Sequence, residues 1–304
     1  MNEQKQRLRF ERYKQKKAER LNHKNPVKGV RFRKFIRPFM RLCLAIQRKM
    51  HGFKVELISG YYEKKDKQIV FAVSHIGKWD YEIVNEIIKD HFYVIAADFM
   101  HMYGNSAGGF LNAFGVIYID ELDKEDRINS RKMMEAVLRQ KDNMLIFPEG
   151  TWNFSENELI YDLPFGCVDM ALATDSVIIP ICVEQYQKRF VVNIGKQFVP
   201  TDRVASTQEL RDIMATLKFE IWEREGITGR DSIPYDYWNK FLCERVNEWW
   251  GYNMREQLIN TWLPPEKKEY LQILRDMRKL KITEKNCFMV MEQKKYIQSL
   301  NREK

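Results

Sequence analysis

The sequence predicts an α/β fold, with a largely parallel or mixed sheet flanked by helices. Between residues 54 and 200, short apolar runs alternate with segments whose apolar side chains recur every three or four positions. This alternation is typical of strands joined by crossover helices. The chain has 304 residues, 44% of them hydrophobic, which is enough to bury a core without disulfides or metal ions.

Seven segments are predicted as strands. Residues 54–60 alternate polar and apolar side chains and end at a glycine, whereas residues 68–74 are a continuous apolar run, as in a strand buried on both faces. Five further strands are expected at residues 91–97, 115–120, 143–150, 176–186 and 189–198. The third of these five runs directly into a turn.

Helices are predicted between these strands, and Asp80 is expected to be the N-cap of the first. They cover residues 80–90, 108–114, 130–140 and 165–175. The C-terminal third is charged and rich in Trp, with helical spacing over residues 236–262. We therefore expect three regions, namely a basic arm with an amphipathic helix (1–54), an α/β domain (55–200) and a helical C-terminal extension packed on the core (201–304).

The cysteines and the apolar runs disfavour several protein classes. Five widely spaced cysteines without a Cys-x-x-Cys pair argue against a zinc ribbon, a thioredoxin-like redox site and a disulfide scaffold, and fit a reducing compartment. No stretch approaches the ~18 apolar residues that a spanning helix needs, and no apolar core follows the charged N-terminus as in a signal peptide. We expect a protein that is soluble or lies on a membrane.

The positive charge is concentrated at the N-terminus. The whole chain has a net charge of +9, but residues 1–54 hold 18 Lys and Arg against three Asp and Glu, whereas the remaining residues carry a net charge of −6. A basic arm of this kind suits nucleic acid or an anionic membrane surface. The alternative is a solvated arm without a partner.

Residues 30–50 are predicted to form an amphipathic basic helix, kinked or split at Pro38. Arg and Lys fill the gaps between apolar residues at steps of three and four, namely Phe32, Phe35, Ile36, Phe39, Met40, Leu42, Cys43 and Ile46. Such a helix can lie in the headgroup plane of a membrane, with its apolar stripe towards the acyl chains and its cations near phosphates. The alternative is that the stripe packs on the protein's own core.

Two turns that follow predicted strands carry the residues suited to catalysis, since sites in α/β sheets lie beyond the carboxyl ends of the strands. In the first turn, Gly77 permits a tight bend that folds His75 back over the start of the next helix. Asp80 can then accept the Nδ1 proton of His75, and the pair can deprotonate a hydroxyl. The alternative is a polar histidine beside an ordinary N-cap.

The second turn, residues 147–153, favours the functional interpretation of the first. Glu149 comes directly after a buried strand, so its carboxylate must be solvated or paired. Gly150 lets the backbone approach a ligand, and its N–H can serve a phosphate or an oxyanion.

Together the two turns resemble those of the glycerolipid acyltransferases, the family typified by 1-acylglycerol-3-phosphate acyltransferase. The hallmarks of that family are His-x4-Asp and, later in the chain, Phe-Pro-Glu-Gly-Thr. They are present here as His75 with Asp80 and as the run from Phe147 to Thr151. The proline-containing run at residues 177–181 also fits, and the resemblance covers roughly residues 55–195.

The resemblance implies transfer of a fatty acyl group from acyl-CoA or acyl carrier protein to a hydroxyl of a lysophospholipid or a related lipid precursor. The default acceptor is 1-acylglycerol-3-phosphate, which gives phosphatidate. His75 would act as the general base and Asp80 would orient it, without an acyl-enzyme. The resemblance implies no metal and no cofactor.

The same resemblance suggests the binding residues and the partners. Substrate-binding residues would be Glu149, Gly150 and Thr151 in the second turn, with Gly77 and Lys78 in the first. The expected partners are an anionic membrane surface, the thioester donor and a lysophospholipid-like acceptor, but no nucleic acid. The enzyme would then be peripheral, on the cytoplasmic face of the cell membrane.

Departures from the family pattern leave the acceptor open. Trp152 stands where members often have an Arg suited to phosphate binding, and Gly77 replaces a usual Ser. Asp120 and Glu121 occupy a place where another basic residue is usual. Cations near in sequence are Lys78, Lys124 and Arg127. The His-x-Gly-x-Trp-Asp sequence is also similar to that of the lipid A acyltransferases, so a non-phosphate or glycolipid acceptor is the alternative.

Three other interpretations are weaker. Residues 104–108 match Gly-x-Ser-x-Gly, but all five histidines precede Ser106, whereas an α/β-hydrolase needs one after its serine. A nucleic-acid-binding module would use the basic arm and leave both turns unexplained. An inactive relative that only binds lipid is disfavoured by the intact His75, Asp80 and Glu149.

Overall fold

The computed structural model describes residues 30–60, 67–77, 79–97, 115–119, 124–150, 153 and 158–225, which contain five helices and one seven-stranded sheet. The helices are α1 (Val30–Met50), α2 (Asp80–Ile87), α3 (Lys124–Arg139), α4 (Gly166–Thr174) and α5 (Arg203–Glu225). The strands are β1 (Lys54–Ser59), β2 (Ile69–Val73), β3 (Phe92–Ala97), β4 (Val116–Ile119), β5 (Asn143–Ile146), β6 (Val177–Tyr186) and β7 (Arg189–Ile194).

The sheet is mixed and mainly parallel, which confirms the predicted fold class. Its strand order is β1-β7-β6-β2-β5-β3-β4, and β6 and β7 form the one antiparallel pair among the described strands. Only two residues separate β6 from β7, and such a short connection can join only antiparallel neighbours. Gln187 adopts a φ of 55° in this turn.

Helices cover both faces of the sheet. On one face, α3, α4 and α5 bury apolar side chains such as Val168 and Met214 against the strands. On the other face, Ile83 of α2 packs with Phe71 of β2. All five residues of β2 are buried, because this strand lies near the middle of the sheet and is covered on both sides. The continuous apolar run of β2 therefore has a packing explanation.

Helix α1 contacts α2 and runs without interruption through Pro38, so of the predicted kink or split the split is wrong, and the kink stays a prediction. Its buried apolar side chains, Met40 and Leu44, pack with Ile36 and Tyr81. None of the described helices combines the length and the apolar character that a bilayer span requires.

Element ends differ from the predictions where the apolar spacing is weak. Helix α3 begins at Lys124, six residues before the predicted start, because its first turns are polar. Strand β7 ends at Ile194, and Phe198 instead forms an isolated antiparallel bridge with Ile178. The predicted helices at residues 108–114 and 236–262 lie outside the described residues, as do the arm at 1–29 and the chain beyond 225.

Candidate active site

The two turns singled out in the sequence begin at the same edge of the sheet. Strands β2 and β5 are parallel neighbours, with Val70 opposite Met144 and Ala72 opposite Ile146. Residues 74–77 leave the carboxyl end of β2, and residues 147–150 leave the carboxyl end of β5. The strand pairing therefore brings together two segments that are more than seventy residues apart in the chain.

The imidazole of His75 is held by two contacts. Nδ1 lies 2.9 Å from Oδ2 of Asp80, and the ring stacks on Phe147 with 3.9 Å between the ring centroids. An ionised carboxylate can only accept, so Nδ1 carries the proton and Nε2 is the basic nitrogen of the neutral ring. The side chain of His75 keeps 21% of its surface exposed, which leaves a path for a reactant to reach the ring.

Asp80 is completely buried, and its carboxylate turns back towards the loop before α2. Oδ2 accepts the main-chain N–H groups of Ile76, at 2.6 Å, and Gly77, at 2.8 Å, as well as the bond from His75. Asp80 is the first residue of α2, and Trp79 occupies the N-cap position without a side-chain bond. The prediction that Asp80 caps the helix is therefore wrong. Gly77, predicted to bind substrate, donates its N–H to the Asp80 carboxylate.

Glu149 is buried, and main-chain and amide N–H groups surround its carboxylate. Oε1 accepts the N–H of His75 at 3.2 Å, and Oε2 accepts the N–H of Tyr161 at 3.0 Å and Nδ2 of Asn153 at 2.9 Å. Burial raises the pKa of this carboxyl, and the Lys218 ammonium and the three donors oppose the rise. The carboxylate joins three segments of the protein, and its role in acceptor binding stays a prediction.

Asn153 is a site residue that sequence reasoning missed. Its main-chain N–H donates to the carbonyl oxygen of His75 at 2.6 Å, while its side chain donates to Glu149. The main chain of His75 is thus fixed at its N–H by Glu149 and at its carbonyl by Asn153. The sequence feature that could have identified Asn153 is its amide side chain, four residues after Glu149 in the same turn.

Gly150 adopts a φ of 72°, in the left-handed region, and an added Cβ would meet no atom within 4 Å. Its N–H donates to the carbonyl oxygen of Phe147 at 3.0 Å. In this conformation the N–H closes the turn, so the expectation that it serves a phosphate or an oxyanion is not met here. The glycine instead permits the backbone geometry that brings Glu149 under His75.

Other predicted site residues lie outside the described part of the chain. Lys78 and Thr151 are among them. Trp152 and the glycine-rich loop around Ser106 also lie outside the described residues. Lys124 and Arg127 are exposed at the start of α3, which follows β4. In the sheet, β5 and β3 separate β4 from β2, so these two cations are not next to His75. Within the described residues, no group of three or more His, Cys, Asp or Glu side chains is arranged to hold a metal ion.

Comparisons with known proteins concern the family and the fold. A model of the acyltransferase family matches residues 54–184, a range that contains both turns. No curated protein matches the sequence. Among solved structures, the fold is similar to that of PlsC from Thermotoga maritima, a 1-acyl-sn-glycerophosphate (LPA) acyltransferase.

The likeness to PlsC has a TM-score of 0.52 at 10% sequence identity, and it covers 64% of this chain and 84% of PlsC. At this identity the comparison concerns the fold, whereas the family match concerns the sequence that carries the two turns. Residues 54–184 are therefore an acyltransferase domain, and the protein is an acyltransferase.

Proposed function

We propose that the protein transfers a fatty acyl group from acyl-CoA or acyl carrier protein to a hydroxyl of a lysophospholipid. The default acceptor is 1-acylglycerol-3-phosphate, and the product is then phosphatidate. The observation that carries the proposal is the pair of His75 and Asp80 at the carboxyl edge of the sheet, since such a pair can remove a proton from a hydroxyl. The similarity to PlsC, an LPA acyltransferase, supports the default acceptor.

In the proposed mechanism, Nε2 of His75 takes the proton of the acceptor hydroxyl as the hydroxyl oxygen attacks the thioester carbonyl carbon. Asp80 stabilises the imidazolium that forms, because its buried carboxylate bonds to Nδ1. The tetrahedral intermediate then breaks its C–S bond, and the imidazolium returns the proton to the leaving sulfur. The thiol and the new ester are the products, and no acyl-enzyme and no cofactor take part.

We further propose that α1 docks the enzyme on an anionic membrane. Six large apolar side chains at helical spacing are exposed on α1, and Phe35 has 82% of its surface exposed. They are Phe32, Phe35, Phe39, Leu42, Ile46 and Met50. This stripe faces away from the protein core, which favours the membrane alternative over packing on the core. A contiguous exposed apolar surface of this kind is typical of a membrane or partner contact.

The arginines of α1 explain why the apolar stripe faces outwards. Arg37 is buried, donates to the carbonyl oxygen of Ile88 and lies over the Phe92 ring. Arg41 donates to the carbonyl oxygen of Glu86, and Arg48 pairs with the Glu86 carboxylate. These three arginines bind the domain rather than lipid phosphates. The expectation that the cations of the helix lie near phosphates is therefore wrong for them.

Three basic side chains of α1 remain exposed beside the stripe, namely Arg31, Lys34 and Lys49. Together with the basic residues of the preceding arm, they would meet anionic headgroups while the phenyl side chains enter the acyl boundary. We place the enzyme peripherally on the cytoplasmic face of the cell membrane, where both thioester donors are present. The acyl chains of acceptor and product can then stay in the bilayer.

Acyl transfer by the purified full-length protein tests the proposed function. Labelled acyl-CoA and acyl carrier protein are supplied with lysophosphatidate, other lysolipids and glycolipids. We expect transfer to lysophosphatidate that is lost in His75→Ala and kept in His51→Ala, a control at an exposed histidine. Transfer only to a glycolipid or another non-phosphate acceptor would keep the mechanism and replace the default acceptor. No transfer to any acceptor would contradict the proposal.

A further inference from the structure

The first half of helix α3 presents a group of exposed cations. They recur at helical spacing and are Lys124, Arg127, Arg131 and Lys132. With about 3.6 residues per turn, these positions share one side of the helix, and Ile128 lies among them. Ile128 is itself exposed, with 48% of its surface open to solvent. This side of α3 therefore combines positive charge with an apolar side chain.

The charged side of α3 continues onto α4 and α5. Nη1 of Arg131 lies 3.5 Å from Oδ2 of Asp169 on α4, and Oδ1 of Asp169 lies 3.0 Å from Nε of Arg203 on α5. The Arg203 guanidinium lies over the exposed ring of Phe165, 4.4 Å from its centroid. We call this region the basic surface and define it by Lys124, Arg127, Ile128, Arg131, Lys132 and Arg203.

The carboxylates near the basic surface do not neutralise it. Asp169 is shared by two arginines, and Glu135 also pairs with two, Arg131 and Arg139. Glu125 is the other exposed acidic side chain of α3. The cations of the surface outnumber these carboxylates, so it keeps an excess of positive charge.

The basic surface lies at the edge of the sheet that carries His75. Helix α3 follows β4 and α4 follows the turn after β5, so both helices begin near the carboxyl ends of parallel strands. Strands β5 and β3 lie between β2 and β4, so three strand spacings, about 14 Å in all, separate the start of α3 from the base. Phe165 follows Tyr161 by four residues, and the N–H of Tyr161 donates to Glu149 at 3.0 Å. The surface is therefore set to one side of the active site.

We propose that the basic surface docks acyl carrier protein, and that the carrier-bound thioester is the acyl donor. The inference rests on the proposed function, in which the donor is either acyl-CoA or acyl carrier protein. A carrier protein is small and acidic, and it presents the acyl thioester at the end of a flexible phosphopantetheine arm. Its body must therefore contact the enzyme beside the base, while the arm reaches His75. A positive surface at the same edge of the sheet meets both requirements.

Coenzyme A fits the basic surface less well than a protein does. Its charge is concentrated in the phosphates of one nucleotide end, whereas the cations extend about 12 Å along α3 and continue on α5. An exposed apolar side chain among charged ones is the arrangement of a protein interface, which has an apolar centre and a polar rim. Ile128 would supply that centre.

An anionic membrane also fits the basic surface less well. The exposed apolar stripe that we assign to the membrane lies on α1, and α1 contacts α2. Helix α2 covers one face of the sheet, whereas α3, α4 and α5 cover the other. The basic surface is therefore separate from the stripe, so a carrier protein can dock while α1 lies on the bilayer.

Kinetics with two donors test the docking on the full-length protein. The same acyl group is supplied on acyl carrier protein and on CoA, with the same acceptor. Ile128→Asp removes the apolar side chain and Lys132→Glu reverses one cation, both at exposed positions. Val199→Asp and Lys196→Glu are the matched controls, since they are also exposed. They lie beside Phe198, which bridges the amino end of β6 at the opposite edge of the sheet.

With acyl carrier protein as donor, we expect kcat/KM of Ile128→Asp and Lys132→Glu to fall by about tenfold or more, mainly through KM, as when an interface loses an anchor or a complementary charge. With acyl-CoA, kcat/KM should stay within about twofold of wild type, because the substitutions do not touch the reacting atoms. Added salt should lower the wild-type kcat/KM with the carrier protein, and less steeply in Lys132→Glu. The two controls should match the wild type with both donors.

Equal losses with the two donors would overturn the proposal, because they would indicate a role in the fold or in a step common to both donors. Unchanged kinetics with the carrier protein would also overturn it. So would weaker flotation of both variants on anionic vesicles with unchanged use of the carrier protein, which would assign the surface to the membrane.

A binding measurement separates this inference from the proposed function. Isothermal titration calorimetry with unacylated acyl carrier protein needs no acyl transfer. If the wild-type protein transfers no acyl group, the proposed function fails, but weaker binding by Ile128→Asp and Lys132→Glu than by the controls still supports the docking. Absence of binding to the wild-type protein would overturn it.

Discussion

The main-chain N–H of His75 donates a hydrogen bond to Oε1 of Glu149, 3.2 Å away, and this bond joins the two turns of the site. The first turn follows β2 and the second follows β5. Because these strands are neighbours in the sheet, the two turns lie close enough for the bond to form. The main chain of His75 and the side chain of Glu149 are therefore held together. The geometry leads to four predictions in addition to the experiments above.

Asp80→Asn should lower kcat/KM for acyl transfer by about 10²- to 10⁴-fold, the usual contribution of general-base catalysis. The amide can still accept the N–H groups of Ile76 and Gly77, but it no longer stabilises an imidazolium at His75. Steady-state kinetics with the preferred acceptor measure the effect.

Asp142→Asn is the matched control for that variant. Asp142 pairs with His91 at 2.8 Å, also through Nδ1, but both residues lie at the amino ends of β5 and β3, the opposite edge of the sheet. We expect its kcat/KM to stay within about twofold of wild type, because the pair lies at the opposite edge of the sheet from His75. Equal losses in the two variants would argue that Asp80 acts only through folding.

Asn153→Ala should lower kcat by about tenfold or more. The variant removes the side-chain bond to Glu149 and leaves an oxygen of that buried carboxylate with one donor fewer, at a cost of about 1–3 kcal/mol. Asn143→Ala is the control, since Asn143 also bonds main-chain groups, at the opposite edge of the sheet. A kcat of Asn153→Ala no lower than that of the control would show that Asn153 does not position the base.

Phe35→Asp and Phe39→Asp should weaken binding to anionic vesicles, because each exposed phenyl ring is expected to contribute about 2 kcal/mol when buried in the acyl boundary. Flotation with vesicles of anionic and zwitterionic lipid measures binding. Point variants suit this test better than deletion of residues 1–50, since Arg37, Met40 and Leu44 pack against the domain.

Val199→Asp and Val204→Asp are the controls for the stripe, as both valines are about half exposed and lie away from α1. They add the same negative charge without changing the stripe, so their flotation should equal that of the wild type. The docking proposal fails if all four variants float alike.

Gly150→Ala should destabilise the fold by about 1 kcal/mol, because an L-residue at a φ of 72° is strained although its Cβ meets no atom. Gly166→Ala, in the first turn of α4, should be neutral or slightly stabilising, since its added Cβ also meets nothing and its φ is ordinary. Urea unfolding of both variants gives the difference, and equal midpoints would show that the turn can relax.

The seven predicted strands are present in the sheet, and Nδ1 of His75 lies 2.9 Å from the Asp80 carboxylate. Buried strands have apolar runs that are local in the chain, and the bend between His75 and Asp80 involves only a few consecutive residues. Both features can therefore be predicted from short stretches of sequence, without knowledge of distant contacts. The sequence does not predict the orientation of the Asp80 side chain. A carboxylate at the start of a helix can either cap that helix or accept N–H groups of the preceding loop, and the residue and its position are the same in both cases.

The sequence by itself determined the fold class, the two turns and the residues suited to proton transfer, since these depend on composition and short-range spacing. Only the tertiary structure decided what surrounds them. Glu149 accepts hydrogen bonds from His75 and Asn153 because β2 and β5 are paired, and the α1 stripe faces outwards. The physical reason is that charge, burial and hydrogen bonding depend on distances between segments, which no local pattern of residues encodes.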